Sequence, residues 1–109
     1  MKSFFISTAI LFSAFSLSAQ TQTATIKVYG ECGMCRSRIE KTAKATGATK
    51  ASWEEDNKEL TVTFDARKTS AAKIEKALAG KGHDTEHETA TKAAYDKLPE
   101  CCHYERKKA

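Results

Sequence analysis

The chain has 109 residues, of which 40% are hydrophobic and 29% charged, with four cysteines, one proline and a formal net charge of +4. That length bounds it to one small domain. Lys and Arg are scattered among Asp and Glu, and no basic stretch is interleaved with aromatics, which argues against a nucleic-acid partner.

Lys2 opens the chain, residues 4–17 are apolar or small throughout, and Ser18-Ala19-Gln20 offers a small-residue cleavage site. This is the pattern of a secretory signal peptide, with an uncleaved anchor as the alternative. The apolar run falls short of the ~20 residues a comfortable membrane span needs. No second run follows, so the mature protein is expected to be periplasmic or secreted, with no stable membrane insertion. Without residues 1–19, 90 residues remain with a net charge of +3, enough for a thin core. The expected division is a signal peptide at 1–19, a folded domain at 20–89 and a Cys-containing extension at 90–109.

Residues 23–29 read as a first strand, with Ala24, Ile26 and Val28 on one face and Gly30 as a break. A helix is predicted from Arg36 to about Thr46, through Ile39 and Ala43, with Gly47 as its stop. Residues 48–53 form a plausible second strand and residues 54–58 a polar turn. Leu60, Val62 and Phe64 alternate with Thr61, Thr63 and Asp65, the clearest strand pattern in the chain. Thr69 or Ser70 can cap a second helix that runs through Ile74, Ala77 and Leu78 to Gly80. A short edge strand from His83 to about Thr89, acidic on one face, would complete a βαββαβ unit. The expected fold is α+β: a ferredoxin-like sandwich of a four-stranded antiparallel sheet with two helices on one face. A short helix at residues 92–98, ended by Pro99, is expected in the extension. Trp53 and Phe64 are expected in the core.

The chemistry concentrates between the first strand and the first helix, in Tyr29-Gly30-Glu31-Cys32-Gly33-Met34-Cys35-Arg36. Two cysteines three apart, entering a helix, can aim both sulfurs at one ion. The free N–H groups and dipole at a helix N-terminus stabilise thiolate, and Arg36 and Arg38 act in the same direction. Thiolates are soft ligands that select Cu(I), Zn(II) and similar ions. Two ligands leave the coordination shell open, which suits an ion to be passed on more than a closed structural zinc site. The same Cys-x-x-Cys also serves thiol–disulfide oxidoreductases, and in an oxidising compartment it can be a plain disulfide. The redox fold commonly sets a cis-proline against its site, and Pro99, the one proline here, lies beyond the core. No paired carboxylates, Ser-His-Asp set or phosphate loop is present, so no enzyme activity is expected.

Val28-Tyr29-Gly30-Glu31-Cys32-Gly33-Met34-Cys35, followed by Arg38-Ile39-Glu40-Lys41-Thr42-Ala43, resembles the heavy-metal-associated domain. That family includes copper chaperones, amino-terminal domains of copper-pumping ATPases and periplasmic mercury-binding proteins. The resemblance covers about residues 23–88 and implies Cys32 and Cys35 as the two metal ligands. The family usually has Met two residues before the first cysteine; here that position is Gly30, and Met34 lies between the cysteines. Gly82-His83-Asp84 stands where many relatives have Gly-Tyr-Asp. The ending from Tyr95 to Cys102 resembles extensions of exported bacterial members.

Outside the loop, His83 is expected near Cys32 and Cys35, either as a solvent-exposed loop residue or as a third ligand. Eleven residues separate Thr89 from Cys101, and extended chain covers ~3.3 Å per residue, so Cys101 and Cys102 can return to the loop. Adjacent cysteines do not readily bridge each other; metal ligation, a disulfide elsewhere, bridging between molecules and free thiols all remain open for them, and a structural disulfide from either one to Cys32 or Cys35 would block metal binding at the loop. His103 is a further possible ligand, His87 reads as a surface residue, and Met34 as a shield for the site. The combined expectation is an exported Cu(I) carrier that passes its ion by thiolate exchange to a membrane transporter, efflux component or cuproprotein. Hg(II) or Zn(II) on the same loop, thiol–disulfide oxidoreduction and a disulfide-stabilised interaction module with no metal are the alternatives.

Overall fold

Apolar alternation makes Glu59–Asp65 (β3) the central strand of the sheet: Leu60, Val62 and Phe64 are buried on one face, and the residues between them point the other way. The computed structural model describes residues 20–107. Antiparallel partners flank β3 on both sides, Thr21–Lys27 (β1) and Ala48–Glu54 (β2), giving the order β1-β3-β2. The register sets Ile26 and Trp53 against Leu60, and Ala24 and Ala51 against Val62. One face of the sheet is therefore apolar. Two helices cover it: Gly33–Ala45 (α1) through Ile39 and Ala43, and Ala71–Gly80 (α2) through Ile74 and Leu78. The opposite face carries Thr25, Thr61 and other exposed polar residues.

Turn chemistry explains the helix ends. The Ser70 hydroxyl accepts the Lys73 N–H at 3.2 Å and starts α2. Gly47, at φ +116°, takes the left-handed position that stops α1, and a Cβ there would lie 2.9 Å from Thr69. The start of α1 lies three residues before the predicted one, so Cys35 sits inside its first turn and Cys32 is its N-cap.

The expected four-stranded count needs correcting. In place of a fourth strand, a single bridge joins Thr85 to Val28 at the outer edge of β1. The Thr85 N–H bonds to the Glu88 carbonyl at 2.8 Å, and its hydroxyl accepts the Glu88 N–H at 3.1 Å. The chain thus turns back on itself before a ladder can extend. The acidic pattern that suggested an edge strand serves a different purpose at Asp84, which is fully buried and accepts the Ala90 N–H at 2.8 Å.

Beyond this turn, Lys92–Asp96 (α3) is capped by Thr91 and followed by a 3-10 turn at Glu100–Cys102. Leu98, Cys102 and Tyr104 enter the main core cluster, so the extension is packed against the domain. Among the described residues, no helix is long and apolar enough to cross a membrane. The expected signal peptide at 1–19 lies outside the described residues.

Candidate metal centre

The loop after β1 is held from beneath. The Trp53 indole donates to the Val28 carbonyl at 2.9 Å, and the Lys58 ammonium donates to the Gly30 carbonyl at 2.7 Å. A Cβ on Gly30 would come within 3.1 Å of the Trp53 ring and 3.2 Å of Cys35 Cβ. Gly30 therefore lets the backbone lie close over the tryptophan, which gives its departure from the usual family residue a packing reason.

Cys32 has extended backbone (φ −138°, ψ −178°) and Cys35 is helical and fully buried. The Cys35 and Met34 N–H groups at the open end of α1 stabilise the Cys32 thiolate and draw its pKa below the ordinary value. A third sulfur arrives from the extension. Cys32, Cys35 and Cys102 place their sulfurs all within 4.8 Å of one another. Cys35 and Cys102 are joined as a disulfide with Cα atoms 5.7 Å apart, while Cys32 and Cys101 are free.

The two neighbouring cysteines of the extension thus have different fates. Cys102 is fully buried, whereas Cys101 is exposed, its thiol 3.5 Å from Met34 Sδ and its carbonyl accepting the Cys32 thiol at 3.3 Å. Partial desolvation, with the Cys32 sulfur beside it, pushes the Cys101 thiol pKa up. Met34 is 55% exposed and lies against the cysteine cluster through Cys101.

His83 is fully buried, which corrects the expected solvent-exposed loop position. Its Nδ1 lies 2.9 Å from the Tyr29 carbonyl, an acceptor only, so Nδ1 carries the proton. Burial lowers its pKa, and the ring stacks on Tyr104 with centroids 5.7 Å apart. His83 is not one of the group of three sulfurs within mutual reach, and its Nε2 has no hydrogen-bond partner among the described residues. His103 stacks on Tyr95 at 5.0 Å, and His87 is exposed beside Glu75.

Sequence reasoning missed the residues that clasp the extension. The Arg106 guanidinium donates to both Asp84 carboxylate oxygens, at 2.8 and 3.1 Å, and also to the Ala90 carbonyl. The Tyr104 hydroxyl donates to the Gly82 carbonyl at 2.6 Å and accepts the Asp84 N–H at 2.8 Å. Lys107 donates to the Thr85 and Glu88 carbonyls. Leu98 and Tyr104, large apolar-bodied residues flanking the cysteine pair, were the available sign that this ending packs.

Fold and sulfur cluster together define a small heavy-metal-binding protein. Residues 25–84 match the heavy-metal-associated domain, and the chain belongs to that family. Among curated relatives it is similar to the mercuric transport protein periplasmic component of Serratia marcescens, 36% identical over 85 residues that span 76% of this chain and 93% of that protein. The Shigella flexneri counterpart is 35% identical over the same shares. Among solved structures, the chain resembles oxidized MerP from Ralstonia metallidurans CH34, with 34% identity and a TM-score of 0.57 over 61% of this chain and 94% of that one. It also resembles the CopZ metallochaperone, with 26% identity and a TM-score of 0.56 over 59% of this chain and 98% of that one.

Proposed function

We propose that the reduced protein, exported by means of residues 1–19, carries a soft metal ion between Cys32 and Cys35. The observation that supports this most is the convergence of these sulfurs at the open N-terminus of α1, where main-chain N–H groups favour thiolate. Cu(I) is the working cargo. Hg(II) is the second reading, favoured by the likeness to mercuric transport proteins; Zn(II) more often takes four closed ligands.

The transfer step follows from the open shell. A thiolate of a transporter, efflux component or cuproprotein adds to the bound ion. A bridged intermediate forms, and Cys32, the more exposed of the pair, is the first of the two to leave. The ion is never free, so exchange is fast even when binding is tight. Residues 20–89 would be the carrier domain and 90–109 its extension.

Titration of the reduced protein with Cu(I) and with Hg(II), each against a competing chelator, tests this reading. Binding should fall sharply in Cys32→Ser and Cys35→Ser; unchanged affinity in the double variant would overturn it. The oxidoreductase alternative has one observation on its side, a free thiol beside a disulfide. Catalysed insulin reduction with weak metal binding would favour it.

A further inference from the structure

We propose that the C-terminal strap, residues 98–107, is a redox-operated cover of the sulfur site. Bonded to Cys35, Cys102 closes the site; once reduced, it joins Cys32 and Cys35 as a third thiolate on the ion. The proposal rests on the metal reading above and adds to it a ligand number and a control.

Three observations carry it. The strap is built into the fold on both sides of Cys102: Leu98 and Tyr104 are 4% and 3% exposed, and Arg106 grips the buried Asp84. Cys102 therefore stays beside the loop without help from its own sulfur. The second observation is distance. An ion with metal–sulfur bonds of about 2.3 Å in a trigonal plane sets its sulfurs about 4 Å apart. Cys32 Sγ lies within 4.8 Å of both bonded sulfurs, and with Cα atoms 5.7 Å apart Cys35 and Cys102 can reach that spacing by side-chain rotation once their bond is broken. Third, the adjacent Cys101 is exposed between Met34 and Cys32 and falls outside the group of three sulfurs in mutual reach, so among the described residues Cys102 is the extension cysteine that meets both loop cysteines.

The arrangement also supplies a route for opening. Both sulfurs of the disulfide are fully buried, whereas Cys32 is half-buried and within reach of both. The Cys32 thiolate attacks Cys102 Sγ, forming a Cys32–Cys102 bond and releasing Cys35 as thiolate. One thiol of an external dithiol then attacks the Cys32 sulfur and expels Cys102 as thiolate. The second thiol of the reductant closes on the first and frees Cys32. Two electrons and two protons pass from the dithiol, which leaves as a cyclic disulfide, and Cys35 and Cys102 end as thiols. Loading an ion then displaces the thiol protons.

The test uses the chain as the producing cell processes it, with Cu(I) alone as the probe. X-ray absorption on the reduced, loaded protein should count three sulfurs, and Cys102→Ser two. Cys102→Ser should lose Cu(I) affinity by at least about tenfold, a loss seen even for outer partners of metal ligands. Cys101→Ser should keep three sulfurs on the ion. In the oxidised protein, peptide mapping should find Cys35 joined to Cys102, with Cu(I) uptake lost until a dithiol restores it. Cys32→Ser should slow that reduction. Two sulfurs in the unmodified reduced protein, or an oxidised pair of Cys32 with Cys35, would overturn the proposal while leaving the two-cysteine carrier intact. Failure of both reduced proteins to take up Cu(I) would instead remove the carrier reading, and this one with it. The sulfur count of the unmodified protein decides even if Cys102→Ser fails to fold; Cys102→Ala, apolar in a buried position, is the second variant.

Discussion

The loop that carries Cys32 and Cys35 and the strap that carries Cys102 meet at one cluster of sulfurs but are held by opposite means. The loop rests on close apolar packing, with Gly30 over Trp53 and Cys35 in the core beside Ile39 and Val28. The strap shares that core through Leu98 and Tyr104 and is bonded to it at Cys102, but its end is fixed by buried polar bonds, chiefly Arg106 and Tyr104 around Asp84 and Gly82. Packing of the first kind fails only with the whole fold. A polar clasp can fail alone, because removing one partner leaves the other uncompensated. Once the Cys35–Cys102 bond is reduced, the strap should therefore be separable from the domain, and the loop should not.

The largest effect is expected at the floor of the loop. Trp53→Ala removes a fully buried ring and the bond to Val28, and should cost about 3–5 kcal/mol, read as a global shift in denaturant unfolding. Next, Arg106→Ala leaves Asp84 buried without its cation and should cost about 3 kcal/mol. Its signature is local: hydrogen exchange should quicken in residues 82–107 while β3 stays protected. Equal loss of protection in β3 would remove the distinction between the two regions.

Gly82→Ala should follow, at about 1–3 kcal/mol. Gly82 has φ +104°, and a Cβ would sit 2.7 Å from the Ala94 carbonyl oxygen, so α3 must shift. In the reduced protein, alkylation of Cys102 should then run faster than in the parent. A mild change is expected from Ser70→Ala, about 1 kcal/mol from the lost cap of α2, with no change in Cys102 alkylation.

Acid tests the same contrast without mutation. Burial pushes the Asp84 carboxyl up, but Arg106 and the Ala90 and Lys107 N–H groups outweigh it, and the net shift is downward. Because the folded pKa lies below the unfolded value of ~3.9, the contribution is full above that value and is lost as pH falls through the folded one. Tyr104, pushed up to about 12 chiefly by burial, stays protonated throughout, and the Arg106 pKa is raised, so neither titrates in this window. His83, whose pKa burial lowers, also titrates at this face, as does Glu75, which burial pushes up but His87 and Thr85 bring down on balance; charging the first and protonating the second both oppose the packed state in acid. Exchange near residues 82–107 should quicken in acid before that of β3.

How much of this was legible in the sequence differs between the regions for the same reason. Leu60, Val62 and Phe64 announce β3 because a strand's period is local. The Cys32–Cys35 spacing could be read because a helix start is local too, although the absence of Ser, Thr, Asp or Asn at the cap hid its first residue. Thr69 and Ser70 both read as caps, and the hydroxyl that bonds is that of Ser70. By contrast, Asp84 looked like one acid in an edge strand, and its partner Arg106 lies 22 residues further along. His83 looked exposed because its burial depends on Tyr104, brought back across the domain by the strap. Cys102 could be allowed near the loop by chain length alone, but choosing it over Cys101 needed the direction of a 3-10 turn.

The bond between Cys35 and Cys102 spans 67 positions of sequence. It ties most of the folded domain into a single covalent ring, which lowers the entropy of the unfolded chain by an amount worth about 4 kcal/mol in the loop-closure description. The oxidised form is thus the sturdier one and, under the proposed function, the one without cargo. Opening it for cargo sacrifices that restraint, and an ion clasped by the same sulfurs would put a reversible ring back in its place.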